Sequence, residues 1–123
     1  MESTNDTPLG VTEYRDVQRK ALATLYVASS YISPDMMIAL CWAYEQAESM
    51  FADAMQTTSN TMVDEASISM CQCCLLTFIA MEGGEVPTDT MEFVHERSEE
   101  LADGTLDDEV MMKTIRERCA SQP

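Results

Sequence analysis

Three cysteines lie close together in an apolar stretch, and their chemistry is that of a soft metal site: Cys71, Cys73 and Cys74. Thiolates bind zinc and copper(I), and the single histidine, His95, would add a nitrogen ligand. On a helix, however, Cys71 and Cys74 share a face while Cys73 points away, and no second Cys-x-x-Cys pair occurs. Free cysteine is among the most buried residue types. We therefore expect these cysteines to be core residues, with no bound metal.

The single histidine stands among acidic residues, close to Glu92, Glu96 and Glu99. A catalytic histidine acts on an oriented nucleophile or works beside a metal. The sequence has no nucleophile-elbow glycines, no glycine-rich phosphate loop and no metalloprotease motif. We therefore predict a protein that is not an enzyme and needs no cofactor, with His95 exposed to solvent.

Acidic residues form the most specific pattern in the chain. The 123 residues include 22 Asp and Glu but only 7 Lys and Arg, which gives a net charge of −15. Residues 82–110 hold eleven acids and one base, so two thirds of the net charge lies in this segment. Six of these acids recur at three- and four-residue steps, which places neighbouring side chains about 6 Å apart on a helix. We call these six the acidic row: Asp89, Glu92, Glu96, Glu99, Glu100 and Asp103.

Further acidic residues are expected beside the row. Three of them follow it along the chain and are expected to extend it: Asp107, Asp108 and Glu109. Three others, in an earlier segment, are expected to form a second row: Glu45, Glu48 and Asp53. One interpretation is a solvated face, although such faces usually alternate Lys with Glu. The other is a surface that presents regularly spaced negative charge to a basic groove, as a nucleic-acid backbone does.

The charge also restricts the partners. Between Lys20 and Arg97 lie 76 consecutive residues without a Lys or Arg. A net charge of this size repels phosphates and anionic lipids, which argues against direct binding to nucleic acid or to a membrane surface. It favours a basic protein as the partner, and a nucleic-acid-binding protein in particular.

Methionine and tryptophan suggest a second kind of surface. Most of the eleven methionines, including Met55 and Met70, fall within apolar stripes and are expected to fill the core. Residues 36–37 and 111–112 are methionine pairs, and neighbours on a helix point about 100° apart. We expect one methionine of each pair to be exposed at an interface. Trp42 is expected to close the edge of the core, and an exposed Trp there would be a strong interface candidate.

Gly, Pro and capping residues divide the chain into five predicted helices. Ser33 and Pro34 form the clearest start, because Ser caps a helix and Pro suits its first turn. Thr61 and Asp64 predict the start of the third helix, and Gly83 with Gly84 predicts its left-handed end. Thr88 and Thr105 are the expected caps of the last two, with a stop at Asp103 and Gly104. The helices are therefore expected over residues 12–31, 34–56, 61–83, 88–102 and from 105 onward.

No segment alternates polar and apolar residues as a half-buried strand would. Five helices with short loops predict an all-α fold, a compact antiparallel bundle of about five helices. Residues 1–11 are expected to be a flexible N-terminal segment, and residues 12–120 a single helical domain.

The uncharged run at residues 66–81 is 16 residues long and falls short of the ~20 that span a bilayer. We expect it to be a buried helix. Glu2 and Asp6 occupy positions where a secretory signal peptide carries basic residues. The five cysteines are an odd number, which fits reduced thiols better than a disulfide framework. The sequence therefore predicts a cytoplasmic protein.

Two functions fit these features. The first is a non-enzymatic inhibitor that occupies the nucleic-acid-binding surface of a basic partner. In size and charge the chain resembles the small acidic DNA-mimic proteins, encoded by phages and mobile elements, that block restriction or CRISPR complexes. The second is a small helical adaptor or secretion-type chaperone that shields a partner with Met-rich and aromatic surface.

Overall fold

Helices make up nearly all of the chain that the structure describes. The computed structural model describes residues 10–83 and 88–120, and no strand occurs within these ranges. The helices are α1 (Val11–Ala28), α2 (Pro34–Thr57), α3 (Asn60–Glu82), α4 (Thr90–Asp103) and α5 (Asp108–Ala120). They pack together as the predicted compact all-α bundle. Residues 1–9 of the predicted N-terminal segment lie outside the described residues.

Side-chain contacts give the directions of the first two helices. Tyr14, near the start of α1, stacks on Phe51, near the end of α2, with 3.9 Å between ring centroids. Further along α1, Gln18 donates a hydrogen bond to Tyr44, which lies earlier on α2. The two helices are therefore antiparallel.

The other three helices are arranged around this pair. α3 packs against both α1 and α2, α4 packs on α1, and α5 packs against α1 and α2. At the start of α5, Asp108 accepts a hydrogen bond from Gln18 of α1. Near its end, Arg118 donates to the backbone oxygen of Tyr26, so α5 runs parallel to α1.

α1 is the central helix. Its five consecutive residues 21–25 (ALATL) have no exposed surface, because neighbouring helices cover it on all sides. Small residues make this possible, since Ala21 and Ala23 allow close approach of the surrounding helices. The sequence pattern predicts a single apolar stripe on this helix, and the structure buries a wider surface.

Capping residues explain where the helices begin. Ser33 caps α2 as predicted, and its side chain accepts a hydrogen bond from the third backbone N–H after it. The predicted start of α3 at Thr61 and Asp64 is wrong. Ser59 caps that helix instead, and its hydroxyl accepts a bond of 3.2 Å from the backbone N–H of Met62.

The last two helices also begin later than predicted. Asp89, rather than Thr88, precedes α4, and its side chain makes no capping bond. Thr105 does not cap α5, which begins three residues later, and its backbone N–H donates a 2.9 Å bond to Asp103 Oδ1 in the turn after α4. Asp107 takes the capping position, where its Oδ1 accepts a 2.8 Å bond from the N–H of Glu109.

Three of the four predicted helix ends lie within one residue of their expected positions, including that of α2 at Thr57, and one does not. α4 ends at Gly104, which has the left-handed φ of 86° that favours glycine. α3 ends at Gly83 as predicted, but with an ordinary φ of −76°, and Gly84 lies outside the described residues. α1 stops at Ala28, three residues early, because the Ser29 hydroxyl bonds back to the Tyr26 carbonyl.

Candidate protein-binding surfaces

The acidic row lies on α4, which is attached to the bundle by its opposite side. Val94 and Leu101 are buried against the rest of the protein, whereas four carboxylates on the helix point to solvent. These four are spaced by four, three and four residues, and they share one face of α4: Glu92, Glu96, Glu99 and Asp103. The structure therefore keeps them together and accessible.

The basic side chains on α4 are one arginine and one histidine. Arg97 Nε lies 2.5 Å from Glu100 Oε1, and its guanidinium also reaches Glu96 at 3.7 Å. His95 is exposed, as predicted, with its Nε2 3.3 Å from Glu99 Oε2. Arg97 thus partly neutralises Glu96 and Glu100, and the other carboxylates of the row are exposed to solvent.

Both ends of the row take part in local structure. Asp89 precedes the first turn of α4, where a negative charge is favourable. At the other end, hydrogen bonds from the Thr105 hydroxyl and backbone N–H hold the pKa of the Asp103 carboxyl below its usual range. Asp103 therefore stays ionised while it holds the turn between α4 and α5.

The three acids that follow the row separate in the structure. Asp107 caps α5, whereas Asp108 Oδ2 accepts a 2.8 Å hydrogen bond from Gln18 of α1. Asp108 and Glu109 line a cavity together with Glu48 of α2. The structure therefore groups these two acids with α2 rather than with the acidic row.

Two adjoining cavities form a cleft between α2 and α5, which we call the α2–α5 cleft. Glu45 and Arg116 border both cavities and form an ion pair across the cleft. The first cavity, of about 360 Å³, is mainly apolar and is also lined by Ile38, Cys41, Trp42, Cys119 and Ala120. The second, of about 490 Å³, is acidic and is also lined by Tyr44, Glu48, Asp108, Glu109 and Met112.

Buried hydrogen bonds fix the acidic half of the cleft. Gln18 has no exposed surface, and its Nε2 donates to Tyr44 at 2.6 Å as well as to Asp108. The Tyr14 hydroxyl donates to Glu48. Burial raises the pKa of Tyr14 and Tyr44, and Glu48 raises both further, so both phenols remain protonated. Hydrogen bonds from buried side chains of α1 therefore fix the positions of the Glu48 and Asp108 carboxylates.

α3 exposes an apolar face, which contradicts the prediction that residues 66–81 are a buried helix. Its contacts with α1 and α2 use one side of the helix, around Met70, Cys73 and Thr77. The opposite side bears four large apolar side chains that are 51–61% exposed. We call them the α3 apolar face: Ile68, Leu75, Leu76 and Ile79.

The cysteines divide along the same boundary. Cys73 and Cys74 are buried, as predicted, but Cys71 is exposed, so the expectation that it shares the core face of Cys74 is wrong. Cys73 and Cys74 point about 100° apart and both lie on the packed side of α3, whereas Cys71 lies beyond the edge of that side. In residues 10–83 and 88–120, no three His, Cys, Asp or Glu side chains converge as metal ligands would.

No family model matches this chain, and no curated protein or solved structure is significantly similar to it.

α3 has the length and hydropathy of a helix that could cross a membrane, with a mean hydropathy of 1.3 over its most apolar 18 residues. A third of that window is buried in the bundle, and the core helices of soluble proteins meet the same criterion.

The methionine and tryptophan predictions have mixed outcomes. Met37 is buried and Met36 is exposed, as expected for that pair. Both methionines at 111–112 are buried, because α5 packs between α1 and α2 and covers both positions. Met55 is partly exposed rather than in the core. Trp42 is 63% exposed, so it does not close the core and is an interface candidate.

Sequence reasoning missed the α2–α5 cleft as a unit. Its two sides are separated by about seventy positions, as in the pair of Glu45 and Arg116. Helical periodicity reports which face of a helix is apolar, but it does not report which helix that face meets. The available signals were Trp42, one step off an apolar stripe, and the acids Glu45 and Glu48 of the predicted second row.

Proposed function

We propose that this protein is a cytoplasmic, non-enzymatic inhibitor that binds the nucleic-acid-binding surface of a basic protein through its acidic row. It would act as a DNA mimic of the anti-restriction or anti-CRISPR type, and it would bind neither nucleic acid nor membrane directly. The observation that carries this proposal is the shared exposed face of Glu92, Glu96, Glu99 and Asp103 on α4.

The spacing of charge along α4 supports mimicry of a nucleic-acid strand. Residues 89–103 cover about 21 Å of helix axis, because each helical residue rises about 1.5 Å. The six acids of the row therefore supply about one carboxylate per 4 Å, of which Arg97 partly neutralises two, against one phosphate per ~3.4 Å along a DNA strand. A basic groove built for phosphates would meet a similar density of negative charge.

Neutralising four carboxylates of the acidic row is enough to test this surface. The test variant is Glu92→Gln, Glu96→Gln, Glu99→Gln and Asp103→Asn. The Asn side-chain oxygen still accepts the bond from Thr105, so the turn is retained. The matched control removes four exposed charges elsewhere: Glu13→Gln, Asp53→Asn, Glu65→Gln and Glu117→Gln.

Each protein is immobilised and used to capture partners from a host lysate, which are identified by mass spectrometry. We expect the wild type and the control variant to capture a basic nucleic-acid-binding protein that the row variant fails to retain. We also expect added wild type to displace DNA from that purified partner, measured by fluorescence anisotropy. Equal capture by the row variant, or binding without loss of DNA, would contradict the proposal.

The α3 apolar face supports a second candidate, the small adaptor or chaperone that shields a partner. Its four exposed aliphatic side chains, together with exposed Met36 and Met91, offer apolar contact without charge. The salt dependence of partner capture distinguishes the two functions. At about 1 M salt the screening length is ~3 Å, so ion pairs are weakened and apolar contacts are not. Capture that persists in 1 M salt favours the adaptor, and capture lost there favours the inhibitor.

A further inference from the structure

We propose that the α2–α5 cleft binds an amphipathic cationic segment of another protein. An apolar side chain of that segment packs against Trp42, and a Lys or Arg side chain lies beside Glu48 and Glu109. This binding site is separate from the acidic row and does not depend on the function proposed for that row.

The apolar half of the cleft has the properties of an anchor pocket. Trp42 is 63% exposed and Ile38 is 59% exposed, and both border the cavity of about 360 Å³. Exposed Trp is the side chain most enriched at the energetic centres of protein interfaces. A cavity of this size accommodates one or two apolar side chains, whose burial would cover the indole.

The acidic half determines the charge of the ligand. Glu48, Asp108 and Glu109 line this cavity, and its one basic residue, Arg116, is already paired with Glu45. Two of these carboxylates are held by the buried groups Tyr14 and Gln18. A cation therefore meets acceptors that are already in position, which lowers the cost of ordering them. An anionic segment would be repelled from the same place.

The separation of the two halves fits a short helical or extended segment. Trp42 and Glu48 are six residues apart on α2, which corresponds to about 9 Å along the helix axis. Apolar and basic side chains one to two helical turns apart in the ligand span this distance. Arg116 stands between the halves and would compete with the ligand cation for Glu45.

Trp42 provides a direct readout, because it is the only tryptophan in the chain. The probe is a synthetic helical peptide of about 14 residues, made of Leu on one face and Lys on the other. We expect a saturable blue shift of Trp42 emission, since the peptide removes water from the indole. Two control peptides, one with Gln for Lys and one with Ala for Leu, are expected to give no saturable shift.

Charge variants then locate the cation. Glu109→Gln is expected to weaken peptide binding about twofold to fivefold at low salt, as for an exposed ion pair. Arg116→Gln is expected to strengthen binding by a similar factor, because it frees Glu45 and removes a competing cation. The circular-dichroism spectrum and melting temperature of this variant check that α5 stays packed, because Arg116 also ties α5 to α2. Lys113→Gln makes the same change in net charge on the same helix, outside the cleft, and is expected to leave affinity unchanged.

Glu99→Gln separates this site from the acidic row, and we expect it to leave the shift of Trp42 emission unchanged. Three results would overturn the proposal. One is no shift with the Leu and Lys peptide. The second is an equal gain from Arg116→Gln and Lys113→Gln, which indicates a general charge effect. The third is an equal loss from Glu99→Gln and Glu109→Gln, which locates the peptide on α4.

Discussion

The cysteines show how one residue type takes on different properties within a single bundle. Cys73 is buried, with its Sγ 3.5 Å from the backbone oxygen of Leu40, and burial raises the pKa of its thiol to about 12. Burial likewise raises the pKa of Cys41 to about 11. Cys71, only two positions from Cys73, is exposed. Both buried thiols therefore stay protonated near neutral pH, and Cys73 is also inaccessible to solvent.

Alkylation rates test this division. We expect iodoacetamide at neutral pH to label Cys71 first and the half-buried Cys119 next, Cys41 more slowly because it borders the α2–α5 cleft, and Cys73 and Cys74 only after unfolding. Each unit of raised pKa lowers the thiolate fraction about tenfold, and the thiolate is the reactive form. Time-resolved peptide mass spectrometry gives the rate for each site, and the chain in denaturant is the control. Similar rates for Cys71 and Cys73 in the folded protein would contradict the packing of α3.

At the scale of the helices, the sequence predicts which elements exist better than where they begin. Ser33 is an unambiguous cap, because Pro34 follows it at once and no other capping residue competes. Before α3 the run TTSNT offers several capping side chains, and local preference does not choose among them. In the structure Ser59 is the cap, and Val63 and Ala66 in the following turns lie on the buried side of α3.

The solvent-exposed face could be predicted from the sequence for α4 but not for α3. The acids of α4 reveal its solvent side, because charge is costly to bury and the row is continuous. α3 has no such marker between Glu65 and Glu82, so its sequence looks apolar on every side. Only the contacts with α1 and α2 decide that Met70 is buried and Leu75 is exposed.

The cap of α5 gives a prediction at this scale. Asp107→Ala removes the side-chain acceptor of the backbone N–H groups of Glu109 and Val110. We expect a loss of about 0.5–2 kcal/mol in the free energy of unfolding, as for other N-cap residues. Asp107→Asn keeps the acceptor and is expected to restore most of the loss. Urea denaturation followed by circular dichroism measures both, with Thr105→Ala as the control. A larger loss of stability from Thr105→Ala than from Asp107→Ala would show that Asp107 is not the cap of α5.

For the whole molecule, the few basic residues have a structural role. Arg118 on α5 donates to the Tyr26 carbonyl and to Ser29 at the end of α1, and it lies 4.4 Å from the Tyr26 ring centre. Arg116, on the same helix, pairs with Glu45 of α2. The bases near the C-terminus therefore attach α5 to the first two helices, while acids dominate the rest of the chain.

A net charge of −15 should make the folded state repel itself, and this sets the response of stability to salt. Neighbouring carboxylates on α4 are about 6 Å apart. The screening length falls from ~30 Å at 0.01 M salt to ~3 Å at 1 M, so salt should remove most of their repulsion. Salt also weakens the attractive pairs, such as Arg116 with Glu45 and Arg97 with Glu100, but the 22 acids far outnumber the 7 bases. We therefore expect the melting temperature to rise with sodium chloride, by about 2–5 °C over this range.

The variant with Gln or Asn at four positions of the acidic row tests the origin of this rise. It removes four like charges from one helix, so we expect it to melt higher than wild type at low salt and to show a smaller increase as salt is added. The four-charge control variant used above spreads the same change over α1, α2, α3 and α5 and is expected to keep a larger salt response. Thermal melts followed by circular dichroism give all three curves. Stability that falls with salt, or equal slopes for the two variants, would mean that repulsion along α4 is not a major cost of this fold. Because partner binding through the same row should weaken as salt is added, the two responses have opposite signs and can be separated in one titration.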